Sequence, residues 1–328
     1  MANESTNPRN FNPSTYWLAP ARNFRTSARL HLQHLLFQNT LGYLLEPHVQ
    51  NYVEETTATN AKQLRIADLA CGNGVWLLDV ARELSDKGVS AQLDGYDVNS
   101  VNFPSPAFLP QSVTFKKLDI LAKPLPEELI GAYDVVHIRA FVSIIINEDT
   151  TPFLSSVLAL LKPGGWVQWE EMRADTPVAH PHPNVQNSAC ETMARIIKTG
   201  GESRGLKFEF VAELDRHLKE HSFDDVYMRV TQKRKEDYKG WTEDFLMVWE
   251  ELGQHFPSKE DQPQAPLTRE FWADLFSKAV AETEQGTALH HDKIVTAVGR
   301  KASQKLLAWS SLETLSNGLS LNIAFSPA

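Results

Sequence analysis

The sequence has little cysteine, no excess of positive charge and no long hydrophobic run. Only two cysteines, Cys71 and Cys190, occur in 328 residues, which excludes a disulfide-stapled fold and favours reduced thiols inside a cell. The longest largely apolar run, residues 141–146, is far too short to span a bilayer. Residues 1–10 lack the apolar segment of a secretory signal. We therefore expect a cytoplasmic protein with no membrane partner.

The charge balance is acidic. Lysine and arginine number 32 against 41 acidic residues, which gives a net charge of -9. This balance disfavours a nucleic-acid partner, because binding a phosphate backbone needs a concentration of positive charge. The remaining composition is that of an ordinary globular protein, and the length suits one large α/β domain with additional elements, or two domains.

One stretch, IADLACGNGVWLLDVA at residues 66–81, predicts a strand, a tight turn and a helix. Gly72 and Gly74 expose the backbone where the helix begins, so the turn is a candidate ligand site. A nucleotide P-loop requires lysine and then serine or threonine after its second glycine. Val75 and Trp76 occupy those positions, which excludes a P-loop.

A dinucleotide motif also fits the turn poorly. Its third glycine position is taken by Leu77, and the carboxylate of Asp68 would lie close to a pyrophosphate. A cationic ligand without phosphate fits better, and S-adenosylmethionine (SAM) is such a ligand. Oxygens near Asp68 and Ala70 are then candidates to hold its ammonium group.

Two further acids follow the next two predicted strands. Asp97, followed by Val98, is a candidate to accept hydrogen bonds from the ribose hydroxyls. Asp119 is a candidate acceptor for the adenine amino group, with Ile120 as an apolar wall. Since ligands of open α/β sheets bind at the carboxyl ends of the strands, the sequence predicts one cofactor site at that edge.

Strands alternate with helices along most of the chain, which predicts an α/β fold with a mainly parallel sheet covered on both faces. A helix is predicted from Thr26 to Pro47, a polar connector over 54–62 and a Pro- and His-rich loop over 173–186. Four regions are predicted. They are an N-terminal arm and helical cover at 1–60, a cofactor-binding core at 61–235, a helical insertion near the substrate pocket at 236–290, and a last strand with a C-terminal helix at 291–328.

The segment D-L-A-C-G-N-G, the two acids and the stretches 134–141 and 161–171 together resemble the class I SAM-dependent methyltransferases. With residues 29–47, the sequence is similar to fungal small-molecule methyltransferases and methyltransferase-fold regulators of secondary metabolism. The resemblance covers about residues 14–235. It implies a Rossmann-like seven-strand sheet with the last strand antiparallel, SAM as methyl donor, S-adenosylhomocysteine as product, and Tyr16 and Arg25 folded over the cofactor. Ala70 departs from the glycine that the family often has there.

Methyl transfer needs a general base only when the acceptor must lose a proton. His137, after the fourth strand, is a candidate base or cofactor contact. Glu170 and Glu171 end the fifth strand and point to opposite faces, so at most one faces the site. His180 lies in the predicted loop as a further base candidate. The histidines do not group into three or four local ligands, so no metal site is predicted.

The sequence leaves several functions open. The main hypothesis is methyl transfer to a small natural product at oxygen, nitrogen or sulfur. A methyltransferase-fold regulatory or binding protein is the second, and an enzyme that catalyses a rearrangement or cyclisation without methyl transfer is the third. Exchange of the N-terminal helix between subunits would give a homodimer.

Overall fold

Secondary structure follows the predicted alternation through most of the chain. The computed structural model describes residues 23–59, 63–202 and 205–303. Its eight helices within those residues are α1 Phe24–Leu41, α2 Pro47–Thr59, α3 Val75–Asp86, α4 Thr151–Leu160, α5 Ser188–Glu202, α6 Leu214–Glu220, α7 Tyr238–Gly253 and α8 Arg269–Glu284. Its nine strands there are β1 Leu64–Leu69, β2 Ala91–Asp97, β3 Val113–Lys117, β4 Tyr133–Arg139, β5 Leu161–Met172, β6 Pro177–His180, β7 Phe223–Gln232, β8 Ala288–His291 and β9 Lys293–Lys301.

Seven of these strands form one sheet in the order β3-β2-β1-β4-β5-β9-β7. The pairs from β3 to β5 are parallel, whereas β9 is antiparallel to both β5 and β7. The predicted fold class is therefore confirmed as a Rossmann-like seven-strand sheet whose last strand runs antiparallel. The strand order reverses between β1 and β4, and such a reversal opens a ligand crevice at the carboxyl ends of the strands.

The central strands are buried on both faces, which explains their nearly continuous apolar sequences. On one face the indole of Trp169 packs edge-on against Phe153 at a centroid distance of 5.1 Å. On the other face Trp76 and Leu77 of α3 pack with Ile66 of β1. Each such side chain contributes roughly 1.5–3 kcal/mol on burial, so the two layers hold the ends of the strands in a fixed relation.

The N-terminal helix differs from its prediction. Pro47 was expected to end one long helix, but α1 ends at Leu41, and Gly42 follows it in the left-handed region with φ 77°. Pro47 instead begins α2, where its missing amide proton costs nothing. The Glu46 carboxylate accepts a hydrogen bond from the His48 amide at 2.7 Å, which caps this start. The predicted connector over 54–62 is consequently helical as far as Thr59.

A second correction concerns residues 173–186. Part of this predicted loop, Pro177–His180, forms strand β6 and pairs antiparallel with β8. The pairing brings the loop beside α5, α7 and α8, whose apolar side chains form their own cluster around Met193, Phe245 and Trp272. This cluster lies beside the sheet and supplies the far wall of the candidate site. The proposed boundaries of the four regions stay predictions.

Two further findings concern membrane-spanning helices and the predicted C-terminal helix. No helix within the described residues is long and apolar enough to cross a membrane. The C-terminal helix predicted from residue 302 falls outside the described part of the chain from residue 304 onward.

Candidate cofactor and acceptor site

A large cavity opens at the carboxyl ends of the parallel strands, beneath α1 and between the sheet and α5 and α7. Six residues predicted to bind the cofactor share this cavity as lining residues: Ala70, Gly72, Asp97, Val98, Asp119 and Ile120. They come from the ends of three neighbouring strands, as the sequence predicted. The sheet order is the reason they meet, because β1, β2 and β3 are adjacent and parallel.

The glycine turn uses its two glycines for different purposes. Gly72 has φ 60° and lines the cavity, so its bare backbone faces the site. Gly74 has φ 73°, and a Cβ there would lie 2.3 Å from the Phe115 ring. The absence of a side chain at Gly74 thus allows the Phe115 ring to pack against the turn. Gly74 does not itself line the cavity within the described structure.

Ala70 adopts φ 53°, the left-handed conformation that glycine tolerates best. For an L-residue this conformation costs roughly 1–2 kcal/mol. We expect Ala70→Gly to leave the melting temperature unchanged or to raise it, because relief of this strain offsets the extra entropy of the unfolded glycine chain. Ala67→Gly, in the buried middle of β1, is the matched control and should lower stability by at least 0.5–1 kcal/mol. Equal destabilisation by both changes would contradict the strain at Ala70.

Both strand-end acids are held in place by backbone amides. The Asp97 carboxylate accepts hydrogen bonds from the amides of Gly72 and Asn99, each at 3.0 Å. The Asp119 carboxylate accepts one from the Leu121 amide at 2.9 Å. Two fixed carboxylates beside a bare backbone suit a ligand that offers hydroxyl, amino and sulfonium groups, and they repel a pyrophosphate. The residues present therefore fit SAM.

His137 and Asp68 lie beneath the cavity floor. His137 Nδ1 lies 2.8 Å from the Asp68 carboxylate, and both side chains are almost fully buried. The Trp76 indole stacks on the imidazole with a centroid distance of 3.5 Å. Neither His137 nor Asp68 lines the cavity, so the two side chains form a buried pair beneath it, and their contact with a bound cofactor stays a prediction.

Glu170 belongs to the same buried network. Its carboxylate accepts from Arg139 Nε at 2.7 Å and lies 3.5 Å from His137 Nε2. Burial opposes its charge, but Arg139 and His137 outweigh burial and lower the pKa of Glu170 to about 2. Arg139 itself reaches the cavity, and His34 of α1 lies 3.0 Å from its Nη1. Glu170 thus fixes the position of the Arg139 guanidinium, which lines the cavity, although Glu170 itself does not reach it.

Glu171 faces the opposite layer of the sheet. It accepts hydrogen bonds from the Phe141 amide at 2.7 Å and from Trp169 Nε1 at 2.8 Å. Burial outweighs these bonds and raises the pKa of Glu171 to about 8, so the group is mainly protonated at neutral pH. Neither glutamate lines the cavity.

The raised pKa of Glu171 has a consequence for stability. The pKa of Glu171 is higher in the folded protein than in the unfolded chain, where it has the ordinary value of 4.5. The group therefore makes its full contribution to the free energy of unfolding below pH 4.5, and this contribution is lost as the pH rises toward 8. We expect Glu171→Gln, which keeps the accepting oxygen, to stabilise the protein by about 2 kcal/mol or more at pH 8 and to have little effect at pH 4. Urea unfolding at the two pH values measures this difference, and an effect independent of pH would contradict it.

Two further predicted residues, His180 and Arg25, do not line the cavity. His180 packs against Tyr238 at a ring distance of 4.8 Å and lies 3.8 Å from the Asp292 carboxylate. Arg25 is exposed near the start of α1, and Tyr16 lies outside the described residues. The histidine, cysteine and acidic side chains of the described segments form no group of three suited to a metal ion.

Several cavity residues were not predicted. Thr26, Arg29, Leu30 and Gln33 line the cavity at helical spacing along one face of α1. This spacing could have predicted that the helix faces a ligand site, because a helix that serves only to pack against the core seldom carries Arg and Gln on its inner face. His291, Trp249 and Val248 line the far wall, and their placement depends on the packing of β8 and α7, which carries no local signature.

Helix α1 is fastened to the glycine turn. The Asn73 side-chain amide donates to the Ser27 carbonyl at 3.0 Å and lies 2.8 Å from His31 Nδ1. Trp76 Nε1 donates to the Leu44 carbonyl at 3.3 Å, just beyond the end of α1. Asn73 and Trp76, which both follow Gly72 closely in the chain, therefore hold the helical cover over the cavity.

The chain is similar in sequence to fungal methyltransferases. It is 29% identical over 212 residues to the methyltransferase grgD of a Penicillium species, a match that covers 63% of this chain and 68% of the relative. It is 33% identical over 144 residues to the N-methyltransferase tcpN of Claviceps purpurea, covering 44% of this chain and 47% of that relative. The matches thus span about half to two thirds of these relatives. No family model matches the chain. The relatives confirm the resemblance drawn from the glycine turn.

Among solved structures, the chain is similar to the [4+2]-cyclase SpnF, with a TM-score of 0.42, 19% identity and coverage of 83% of this chain and 93% of that one. It is also similar to the phosphoethanolamine N-methyltransferase 2 of Haemonchus contortus, solved with SAM, with a TM-score of 0.43, 15% identity and coverage of 86% of this chain and 59% of that one.

Proposed function

We propose that this chain, a class I SAM-dependent methyltransferase, transfers the methyl group of SAM to a small natural product and releases S-adenosylhomocysteine. The observation that carries the proposal is the single cavity that joins the turn residues Ala70 and Gly72 and the acids Asp97 and Asp119 to an apolar chamber beyond them. One end supplies the polar contacts of a nucleoside and an amino acid. The other has room and walls for a second, largely apolar molecule.

Within this proposal the cofactor residues have separate roles. SAM supplies an electrophilic methyl group on a sulfonium when bound. Asp97 would accept hydrogen bonds from the ribose hydroxyls, and Asp119 would accept one from the adenine amino group. Gly72 would let the ligand lie against the backbone, and Ile120 would pack on the adenine. Helix α1 would exclude water from above.

Catalysis would then consist mainly of positioning. Of the four base candidates from the sequence, His137, Glu170 and Glu171 are buried beneath or beyond the cavity, and His180 lies on the β6–β8 pair. The polar side chains that line the cavity outside the strand-end turns include Arg29, Gln33, Arg139 and His291. We propose that these groups orient the acceptor for in-line attack, since correct placement of two reactants can itself supply several kcal/mol of the barrier.

The direct test is transfer of label. The purified chain is incubated with methyl-labelled SAM and metabolite extracts of a fungus, and labelled products are sought by mass spectrometry. We expect a labelled small molecule with the wild-type chain and its loss in Asp97→Ala. Consumption of SAM with no labelled acceptor, or product formation without consumption of SAM, would contradict methyl transfer.

We also propose a cytosolic location. Cys71 and Cys190 form no disulfide with each other, as expected of a reducing compartment. A homodimer and a lack of nucleic-acid partners stay predictions from the sequence.

A further inference from the structure

The cavity has an acceptor half, whose walls include Arg29, Met172, Ile197, Phe208, Trp249 and His291. These residues come from α1, the end of β5, α5, the segment that follows α5, α7 and β8. The two acids instead lie at the end of β2 and just after β3, strands that β1 and β4 separate from β5 in the sheet. Four of the six side chains are apolar or aromatic. The walls therefore favour an apolar molecule, and the two polar groups would fix its orientation.

The distribution of charge in the cavity is uneven. Its acidic lining residues are Asp97 and Asp119, both in the half proposed for the cofactor. Over residues 23–59, 63–202 and 205–303, no carboxylate lines the acceptor half. Arg29 and Arg139 both reach the cavity, so the charged groups beside an acceptor are guanidinium groups.

Three carboxylates that do not line the cavity pair with side chains that do. The Asp244 carboxylate, with 3% of its side chain exposed, lies 3.4 Å from Arg29 Nη1 and accepts from Gln33 Nε2 at 3.2 Å. Glu251 accepts from the Thr26 hydroxyl at 2.6 Å. Glu170 is engaged by Arg139 in the same way. Each carboxylate pairs with a side chain that lines the cavity, and none of the three lines the cavity itself.

We infer that the methyl acceptor is an apolar molecule whose bound form carries no positive charge, an inference that rests on the proposed function. An ammonium group in the acceptor half would lose its hydration, meet guanidinium groups and find no carboxylate as partner. Burying an unpaired charge costs several kcal/mol. A hydroxyl, an amide or a carboxylate instead finds donors and acceptors in Arg29, Gln33 and His291.

His291 also favours an uncharged acceptor over a cationic one. Burial is the main cause that lowers its pKa to about 3, with Lys233 and His290 as further causes. The ring is therefore neutral at physiological pH and can exchange hydrogen bonds with an uncharged polar group. Its edge-on contact with Phe245, at a ring distance of 5.2 Å, keeps the imidazole in place on the wall.

The test uses two probes of nearly the same shape, 2-naphthylmethanol and 2-naphthylmethylamine, titrated by calorimetry at pH 7 with S-adenosylhomocysteine present. We expect the alcohol to bind at least tenfold more tightly than the amine. Equal or tighter binding of the amine would overturn the inference, and so would a failure of the alcohol to bind up to its solubility limit. Binding of S-adenosylhomocysteine alone is measured separately, so a failure of the proposed function is distinguished from a failure of this inference.

Two substitutions at Val248 test whether charge in the acceptor half causes the difference in affinity. Val248 lines the acceptor half on α7, and Val248→Asp places a carboxylate there, whereas Val248→Asn has the same shape without charge. We expect Val248→Asp to shift the ratio of affinities toward the amine by tenfold or more and Val248→Asn to leave it within about twofold. An equal shift in both variants would overturn the role of charge, and affinity for S-adenosylhomocysteine in each variant confirms that the cofactor half is intact.

Discussion

Asp97→Ala is expected to weaken SAM binding at least tenfold. The Asp97 carboxylate lines the cavity at the end of β2, where it is the candidate partner of the ribose hydroxyls. Hydrogen bonds to a charged group are worth roughly 1.5–3 kcal/mol each, and 1.4 kcal/mol corresponds to tenfold in affinity. Loss of one such bond therefore predicts a reduction of roughly tenfold to a hundredfold, measured by calorimetry with SAM or S-adenosylhomocysteine.

The controls for Asp97 separate binding from folding. Its carboxylate also accepts from the amides of Gly72 and Asn99, so Asp97→Asn, which keeps the shape, should lose less affinity than Asp97→Ala. Asp86→Ala, at the exposed end of α3, should leave affinity unchanged. Unaltered affinity in Asp97→Ala, with a normal melting temperature, would refute the ribose role.

Arg139→Met is expected to have the largest effect on stability, about 3–5 kcal/mol at pH 7. The guanidinium is the cation that pairs with Glu170, whose side chain has no exposed surface. Removing one partner of a buried pair leaves an uncompensated charge, and this typically costs about 3–5 kcal/mol. Urea unfolding of the two proteins gives the difference. A loss below about 1 kcal/mol would show that Glu170 does not depend on Arg139.

The pH dependence and a second substitution identify the cause. In the wild type the pKa of Glu170 is lowered to about 2, so its contribution to stability is present above pH 4.5 and is lost as pH falls toward 2. Without Arg139, burial raises that pKa, and the cost of Arg139→Met should shrink as acid protonates Glu170. Adding Glu170→Gln to Arg139→Met should recover part of the loss at pH 7, and no recovery would assign the loss to packing.

The sequence predicted which strand-end residues share the cavity, because this part of the cavity is built from local motifs. Strand, turn and helix are adjacent in the chain at residues 66–81, and Asp97 and Asp119 follow the next strands directly. Parallel pairing then brings the three ends together without any further information. The two glycines looked equivalent in the sequence. Position 74, however, requires glycine because the ring of Phe115, about 40 residues later in the chain, packs directly against it.

The acceptor half could not be predicted, because it is assembled from segments distant in sequence. His291 reaches the wall through the pairing of β8 with β6, and Trp249 through the packing of α7. The placement of polar residues was also ambiguous. Glu170 and Glu171 were correctly assigned to opposite faces, yet both faces of β5 are covered, so neither side chain reaches the cavity. On α1, Arg25 was singled out from the resemblance, whereas helical spacing turns Arg29 inward.

Titration of the purified chain with SAM in a calorimeter is the measurement that tests the central claim most directly. The bare backbone at Gly72 and the fixed carboxylates of Asp97 and Asp119 predict saturable binding with one site per chain, and binding that weakens at least tenfold in Asp97→Ala. No heat of binding at millimolar SAM from a folded wild-type chain would contradict the claim that this cavity holds the methyl donor.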